Sequence, residues 1–251
     1  MFAPKVGIRI ILIPVLTFFG LIILWEGMDA VFGIKKIIAP APHEIALAFV
    51  AEWRILFKAT GITMLESVLG FSLGSLIAFI LAVFFVYSNT LRIALYPYAV
   101  ALKSTPLIAI APLLILWFGN GILSKVVMAA LVAFFPVLVN AVDGLTSIEK
   151  DALNLMRSLS ASQWQIFWKI RFPHSLPFIF SSLKIASSLA VVGAVIGEFT
   201  GSTSGIGHLI NTSSYYLDTD VMFAAICMIS LGGIIFFGIV AFAEKKIVFW
   251  R

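Results

Sequence analysis

Apolar residues run through this chain in long blocks, and the polar residues between them mark the limits of its elements. Uncharged stretches of membrane-crossing length recur: Ser67 to Leu91 is 25 residues, Ser104 to Ser124 is 21, Val126 to Val142 is 17 and Val221 to Ala243 is 23. Lys184 to Asp218 holds one more, interrupted only by Glu198, and Ile10 to Trp25 follows Lys5 and Arg9. A helix needs about 20 residues to cross the hydrocarbon layer. Six spans are predicted, at about 9–30, 62–88, 94–118, 123–143, 176–199 and 221–244. The third carries Pro97, Lys103 and Pro106 in its first half, which predicts a broken or re-entrant helix.

Composition agrees with that pattern. The 251 residues are 61% hydrophobic and 12% charged, against about a quarter charged in soluble domains. The fold class is therefore an all-α polytopic membrane protein. The N-terminus looks like a signal peptide, but Glu26-Gly27-Met28-Asp29-Ala30 is a poor cleavage site, and the stretch reads as an uncleaved first span. The single cysteine, Cys227, excludes an intramolecular disulfide.

Charge orients the spans. Six crossings put both termini on one side, together with Lys5, Arg9, Arg92, Lys150, Arg157, Lys169, Arg171, Lys245, Lys246 and Arg251. The other side receives Lys35, Lys36, Arg54, Lys58 and Lys125, partly offset by Glu44, Glu52, Asp218 and Asp220. The positive-inside bias makes the first side cytoplasmic. The same bias accounts for the net charge of +5 without a nucleic-acid partner. On the external side, Ala39-Pro40-Ala41-Pro42 precedes a stretch, His43 to Lys58, whose Ile45, Phe49, Ile55 and Leu56 predict an amphipathic surface helix. The chain divides into 1–60, the first span and this external segment, and 61–247, the remaining transmembrane domain with a cytoplasmic loop at 146–174.

Two stripes of small residues stand out: Ser67, Gly70, Gly74, Ala78 and Ala82, and Gly193, Gly197, Gly201 and Gly205. Such stripes let helices approach closely in lipid; helices that line a path or slide would use the same pattern. Ionisable residues within spans are functional candidates by default. Asp143 and Lys184 fall near cytoplasmic ends, where snorkelling suffices, and Glu66 and Glu198 near external ends, where an interfacial position is expected. Lys103, followed by Ser104-Thr105-Pro106, has no such explanation. The candidates for a translocation path are Lys103, Ser104, Thr105, Asn140 and Glu198.

Enzyme chemistry finds little support. No G-x-x-x-x-G-K-[ST] phosphate loop is present. Gly201-Ser202-Thr203-Ser204-Gly205 has the outline of a nucleophile elbow, but its centre is Thr203 and no strand precedes it. His43, His174 and His208 lie far apart, so no metal site is expected.

The segment from Glu149 to Pro173 is the polar exception in an apolar chain, with six charged residues in 25. Asp151 to Leu159 reads as a short helix with a partial apolar face. Ser160-Ala161-Ser162 supplies a turn and an N-cap, and Gln163 to Arg171 a second helix bearing Trp164, Ile166, Phe167 and Trp168, ended by Pro173. The pattern fits a docking knob for another protein and fits equally an aromatic anchor at the bilayer interface.

The residues themselves resemble a known family. Arg157-Ser158-Leu159-Ser160-Ala161-Ser162-Gln163-Trp164, followed by Ile170-Arg171-Phe172-Pro173-His174-Ser175-Leu176-Pro177, is similar to the coupling loop of importer-type ABC transporter permeases, in the branch of nitrate, sulfonate, taurine and bicarbonate permeases. The stretch Thr105 to Gly119 resembles the third-span signature of that family. Phe134-Phe135-Pro136, Asn140 and Gly144 resemble its fourth, and Glu198-Phe199 with Ser204 to Ile210 resembles the end of its fifth and the loop beyond. Two departures occur: Asn154, Leu155 and Met156 replace an acidic residue and alanines, and Ser160 replaces a glycine at the corner.

The resemblance implies a type I ABC importer permease fold in a bacterial inner membrane. It implies two permease copies, as a homodimer, two ATPase subunits that bind ATP and magnesium, and an external substrate-binding protein that delivers a small anionic or organic solute. The chain itself would bind no cofactor. Its coupling residues would be Arg157, Leu159, Ser160, Ala161, Ser162, Trp164, Gln165, Phe167 and Pro173. A stand-alone secondary carrier or channel is the alternative. It would work alone on an ion gradient, and the absence of an internal repeat and the sparse intramembrane charges speak against it.

Overall fold

The structure, a computed structural model, describes residues 9–103 and 105–250, and among these it contains helices and no strand. Five helices are long and apolar enough to cross a membrane: Leu12–Phe32, Trp53–Tyr87, Ile122–Thr146, Gln163–Phe199 and Thr219–Ile247. The chain runs α1 (Arg9–Phe32), α2 (Pro42–Ala51), α3 (Trp53–Tyr87), α4 (Asn89–Lys103), α5 (Leu107–Phe118) and α6 (Ile122–Thr146). It continues through α7 (Lys150–Ser158), α8 (Gln163–Ile166), a π turn (Phe167–Arg171), α9 (Phe172–Phe199), α10 (Ile206–Tyr216) and α11 (Thr219–Ile247).

The predicted third span is divided. α4 and α5 are separated around Thr105 and Pro106, where Pro106 is extended at ψ 107° and has no N–H to continue a helix. The external surface helix is shorter than predicted. Pro42 and a bond from the Ala41 N–H to the Glu44 carboxylate start α2, but it ends at Ala51, and a break at Glu52 (φ −105°) turns the chain into α3. Arg54 to Lys58 therefore belong to α3, a helix of 35 residues that starts nine residues before the predicted 62–88 span.

Small residues decide the packing. α6 lies between α3 and α9. A Cβ on Gly74 would overlap the Ala130 carbonyl oxygen, and one on Gly70 would meet the Ala129 side chain. From the opposite side, a Cβ on Gly193 would come within 2.8 Å of the Ala129 Cα. Helices in lipid gain stability from such close van der Waals contact, because burying apolar surface brings no gain there over lipid. Gly70 and Gly74 on α3 and Gly193 on α9 thus serve contacts within one subunit, whereas Gly201 and Gly205 lie beyond the end of α9. Bulkier groups fill the half nearer the C-terminus of α3, where Phe85, Leu138 and Leu145 are buried, and the Phe71 and Phe236 rings meet edge-on at 5.1 Å to hold α11 on α3.

Candidate functional site

The polar segment forms a knob at one end of the bundle. α7 closes with the Ser160 N–H donating to the Arg157 carbonyl at 2.9 Å and the Ala161 N–H to the Met156 carbonyl at 3.0 Å, the bond pair of a Schellman motif. That motif needs a left-handed residue just beyond the helix, and Ser160 supplies it at φ 56°. Ser162 and Gln165 then form a reciprocal capping box: the Gln165 N–H donates to Ser162 Oγ at 3.2 Å, and the Ser162 N–H donates to Gln165 Oε1 at 2.8 Å. These two residues shape the knob from within.

Pro173 does not end the second helix. The Phe172 N–H bonds to the Phe167 carbonyl, five residues back, so the ladder has widened into a π turn before the proline arrives. Pro173 then occupies the first turn of α9, where its missing N–H costs little. α8, the π turn and α9 form one helical run, Gln163–Phe199. Phe167 is buried against Tyr87, Trp168 and Phe172. Trp164 is 69% exposed, stacks edge-on with Trp168 at 5.4 Å, and shares the exposed apolar surface of the knob with Leu155 and Leu159. Arg157 is exposed beside them.

A second cluster lies at the opposite end. Glu66, Lys125 and Glu198 are 2%, 1% and 1% exposed, so neither glutamate is interfacial as the sequence suggested. Glu198 Oε1 accepts the Thr63 hydroxyl at 2.6 Å, and Glu198 Oε2 accepts the Gly207 N–H at 2.5 Å. The Ile206 N–H donates to Thr63 Oγ1 at 2.8 Å, so α10 starts on groups from α3 and α9. Lys125 donates to the Asn120 carbonyl at 2.5 Å. The Glu66 carboxyl group is buried as well, and its Oε2 has no hydrogen-bond partner among the described residues.

The other path candidates do not gather there. The Asn140 amide donates to the Pro136 carbonyl at 2.8 Å within α6. Lys103 ends α4, Thr105 is exposed in the break after it, and Ser104 lies outside the described residues. An apolar cavity of about 590 Å³ opens between α9, α10 and α11, where Ser188 and Ser230 are the polar residues of its lining and no charged side chain takes part. Sequence reasoning left Thr63 out and placed Lys125 among external loop charges. The available signal was the position of Lys125 three residues into an apolar helix. Lys184 pairs with Glu244 of α11 at 2.5 Å. Among the described residues no group of three or more histidine, cysteine or acidic side chains could hold a metal ion.

Residues 70–249 match the family described as binding-protein-dependent transport system inner membrane component. The chain belongs to this family. It is an integral membrane protein and a permease subunit of an ABC importer, a transporter component rather than an enzyme. It is 32% identical to the formylaminopyrimidine transport permease protein ThiX of Halalkalibacterium halodurans, over 95% of each chain. It is 32% identical over 144 residues, 57% of this chain and 52% of the other, to the taurine transport system permease protein TauC of Escherichia coli. Such relatives place the permease in the sulfonate and taurine branch. Its fold is that of a solved amino acid ABC transporter chain, with a TM-score of 0.67 at 15% identity over 80% of this chain and 97% of that one. The type I permease fold implies ATPase and binding-protein partners.

Proposed function

We propose that two copies of this permease form the path for a small anionic or organic solute in a bacterial inner membrane, with both termini in the cytoplasm. Two ATPase subunits, which bind the ATP and magnesium, dock on the knob, and an external binding protein delivers the solute. The observation that carries this reading is the uncovered apolar surface of Leu155, Leu159, Trp164 and Trp168 on a knob stiffened by two caps. Apolar surface of this kind outside the bilayer calls for a protein partner. Leu159, Trp164 and Arg157 make the contact. Ser160, Ala161, Ser162, Gln165, Phe167 and Pro173 hold its shape. Glu198 serves the path indirectly, by fixing α10 at its external end. The cavity between α9 and α11 carries no charge that would select an anion, which supports selection by the binding protein.

The experiment is co-purification with an ATPase subunit co-expressed with the permease. Trp164→Asp and Ala161→Arg are expected to leave the chain in the membrane and to release the ATPase. Retention of the ATPase at the wild-type level by both variants would sink the docking role.

A further inference from the structure

We infer that Arg171 is a positioning residue of the transport cycle: its guanidinium braces the knob to the C-terminus of α6, so that displacement of Trp164 and Trp168 passes to the central helix of the bundle. The inference rests on the reading of the knob as the ATPase-docking element.

The knob joins α9 through the π turn Phe167–Arg171, the one such turn among the described residues. A π turn has shifted hydrogen bonds and interrupts the regular ladder. The junction is therefore where the knob can bend without carrying the bundle with it. Contacts from this junction reach α6. Arg171 Nη1 donates to the Leu145 carbonyl at 2.6 Å. One turn on, His174 Nε2 lies 3.2 Å from the Ser147 hydroxyl just beyond α6, and Phe178 seats where Gly144 has no side chain. Arg171 alone of these lies in the π turn itself.

The chemistry of the contact suits a brace. Leu145 is among the last four residues of α6, whose carbonyls a helix leaves without helical donors. The negative end of the helix dipole favours a cation there. Arg171 is half-buried, and its Nε is buried without an acceptor among the described residues. Holding a guanidinium out of water with one donor unpaired is unfavourable, so a merely solubilising cation would swing away. The planar fork offers a short, directed donor that spans the turn.

The test uses the full chain purified with its ATPase partner in a Cys227→Ser background, with spin labels at Asp151→Cys on α7 and Leu123→Cys at the external end of α6, the labelled chain diluted with unlabelled chain so that distances within one copy are read. Both positions are exposed. Distances are measured by pulsed EPR without nucleotide and after trapping with ATP, magnesium and vanadate. With Arg171 present, one narrow distribution at the same distance is expected in both states. Arg171→Met is expected to shift or split it on trapping, and Arg171→Lys, which can still donate to the Leu145 carbonyl, to preserve it. An unchanged distribution in Arg171→Met overturns the inference. Should Arg171→Met not assemble, Arg171→Leu, which also has no donor, carries the same test: a shift supports the brace, and its absence overturns it. A wild-type chain that captures no ATPase overturns the docking reading instead, and the distribution in the chain alone then decides the brace, narrow with Arg171 and broadened without it.

Discussion

The Glu198 carboxylate lies so close to Gly205 that any side chain at Gly205 would overlap it. The backbone at Gly205 also has φ 95°, a conformation that L side chains rarely adopt. Gly205→Ala should therefore lower the thermal unfolding temperature of the purified chain and detach α10 from Glu198. Glu198→Ala should do the same by leaving the buried Gly207 N–H without its acceptor, at about 1–3 kcal/mol, while the Thr63 hydroxyl falls back on the Ala59 carbonyl at 3.2 Å. A melting temperature equal to wild type in both variants would show that the buried cluster holds nothing together.

Glu66 Oε2 is buried without a hydrogen-bond partner among the described residues, and a charge left so is costly. A neutral amide at Glu66 keeps the shape of the carboxyl group and carries no charge. Glu66→Gln should thus melt close to wild type, whereas Glu66→Ala should be clearly less stable. Equal losses in the two variants would mean that Glu66 acts as a charge.

At the other end, Ser160 adopts the left-handed conformation that a glycine takes without strain. The penalty for a residue with a Cβ is about 1–2 kcal/mol. Ser160→Gly should protect the amides of α7 from hydrogen exchange at least as well as the native serine, and ATPase capture should persist. Ser160→Val should weaken both, because β-branching adds to the strain. Stronger protection with valine than with glycine would contradict the corner geometry.

Gly74 and Gly238 make a matched pair. A Cβ at Gly74 meets the backbone of Ala130, which cannot move aside cheaply, while a Cβ at Gly238 meets nothing within 4 Å. Gly74→Val should abolish the monodisperse peak on size exclusion, and Gly238→Ala should leave it intact. Similar profiles for the two would refute the close approach of α3 to α6.

The knob was legible because its information is local: caps, aromatic spacing and a corner residue lie within 25 consecutive positions. The buried cluster was not. Glu66 borders an uncharged run, so hydropathy put it at an interface, but α3 begins at Trp53 and carries Glu66 deep into the helix. Glu198 lies on α9, far along the chain, and no periodicity reports its bond to Thr63 on α3. Pro173 misled for a different reason. The rule that proline ends a helix assumes a ladder with bonds four residues back, and the chain had already changed that spacing at Phe172.

The run Gln163–Phe199 has one more consequence, a matter of lever arms. It holds 37 residues, and at a rise of about 1.5 Å per residue it is roughly 55 Å long. Trp164 stands near one end and Glu198 near the other. With the π turn held straight by Arg171, a tilt of the run by a few degrees about its middle would displace both ends by a few ångströms in opposite directions. The braced run thus converts a push on the knob into a counter-swing beneath α10.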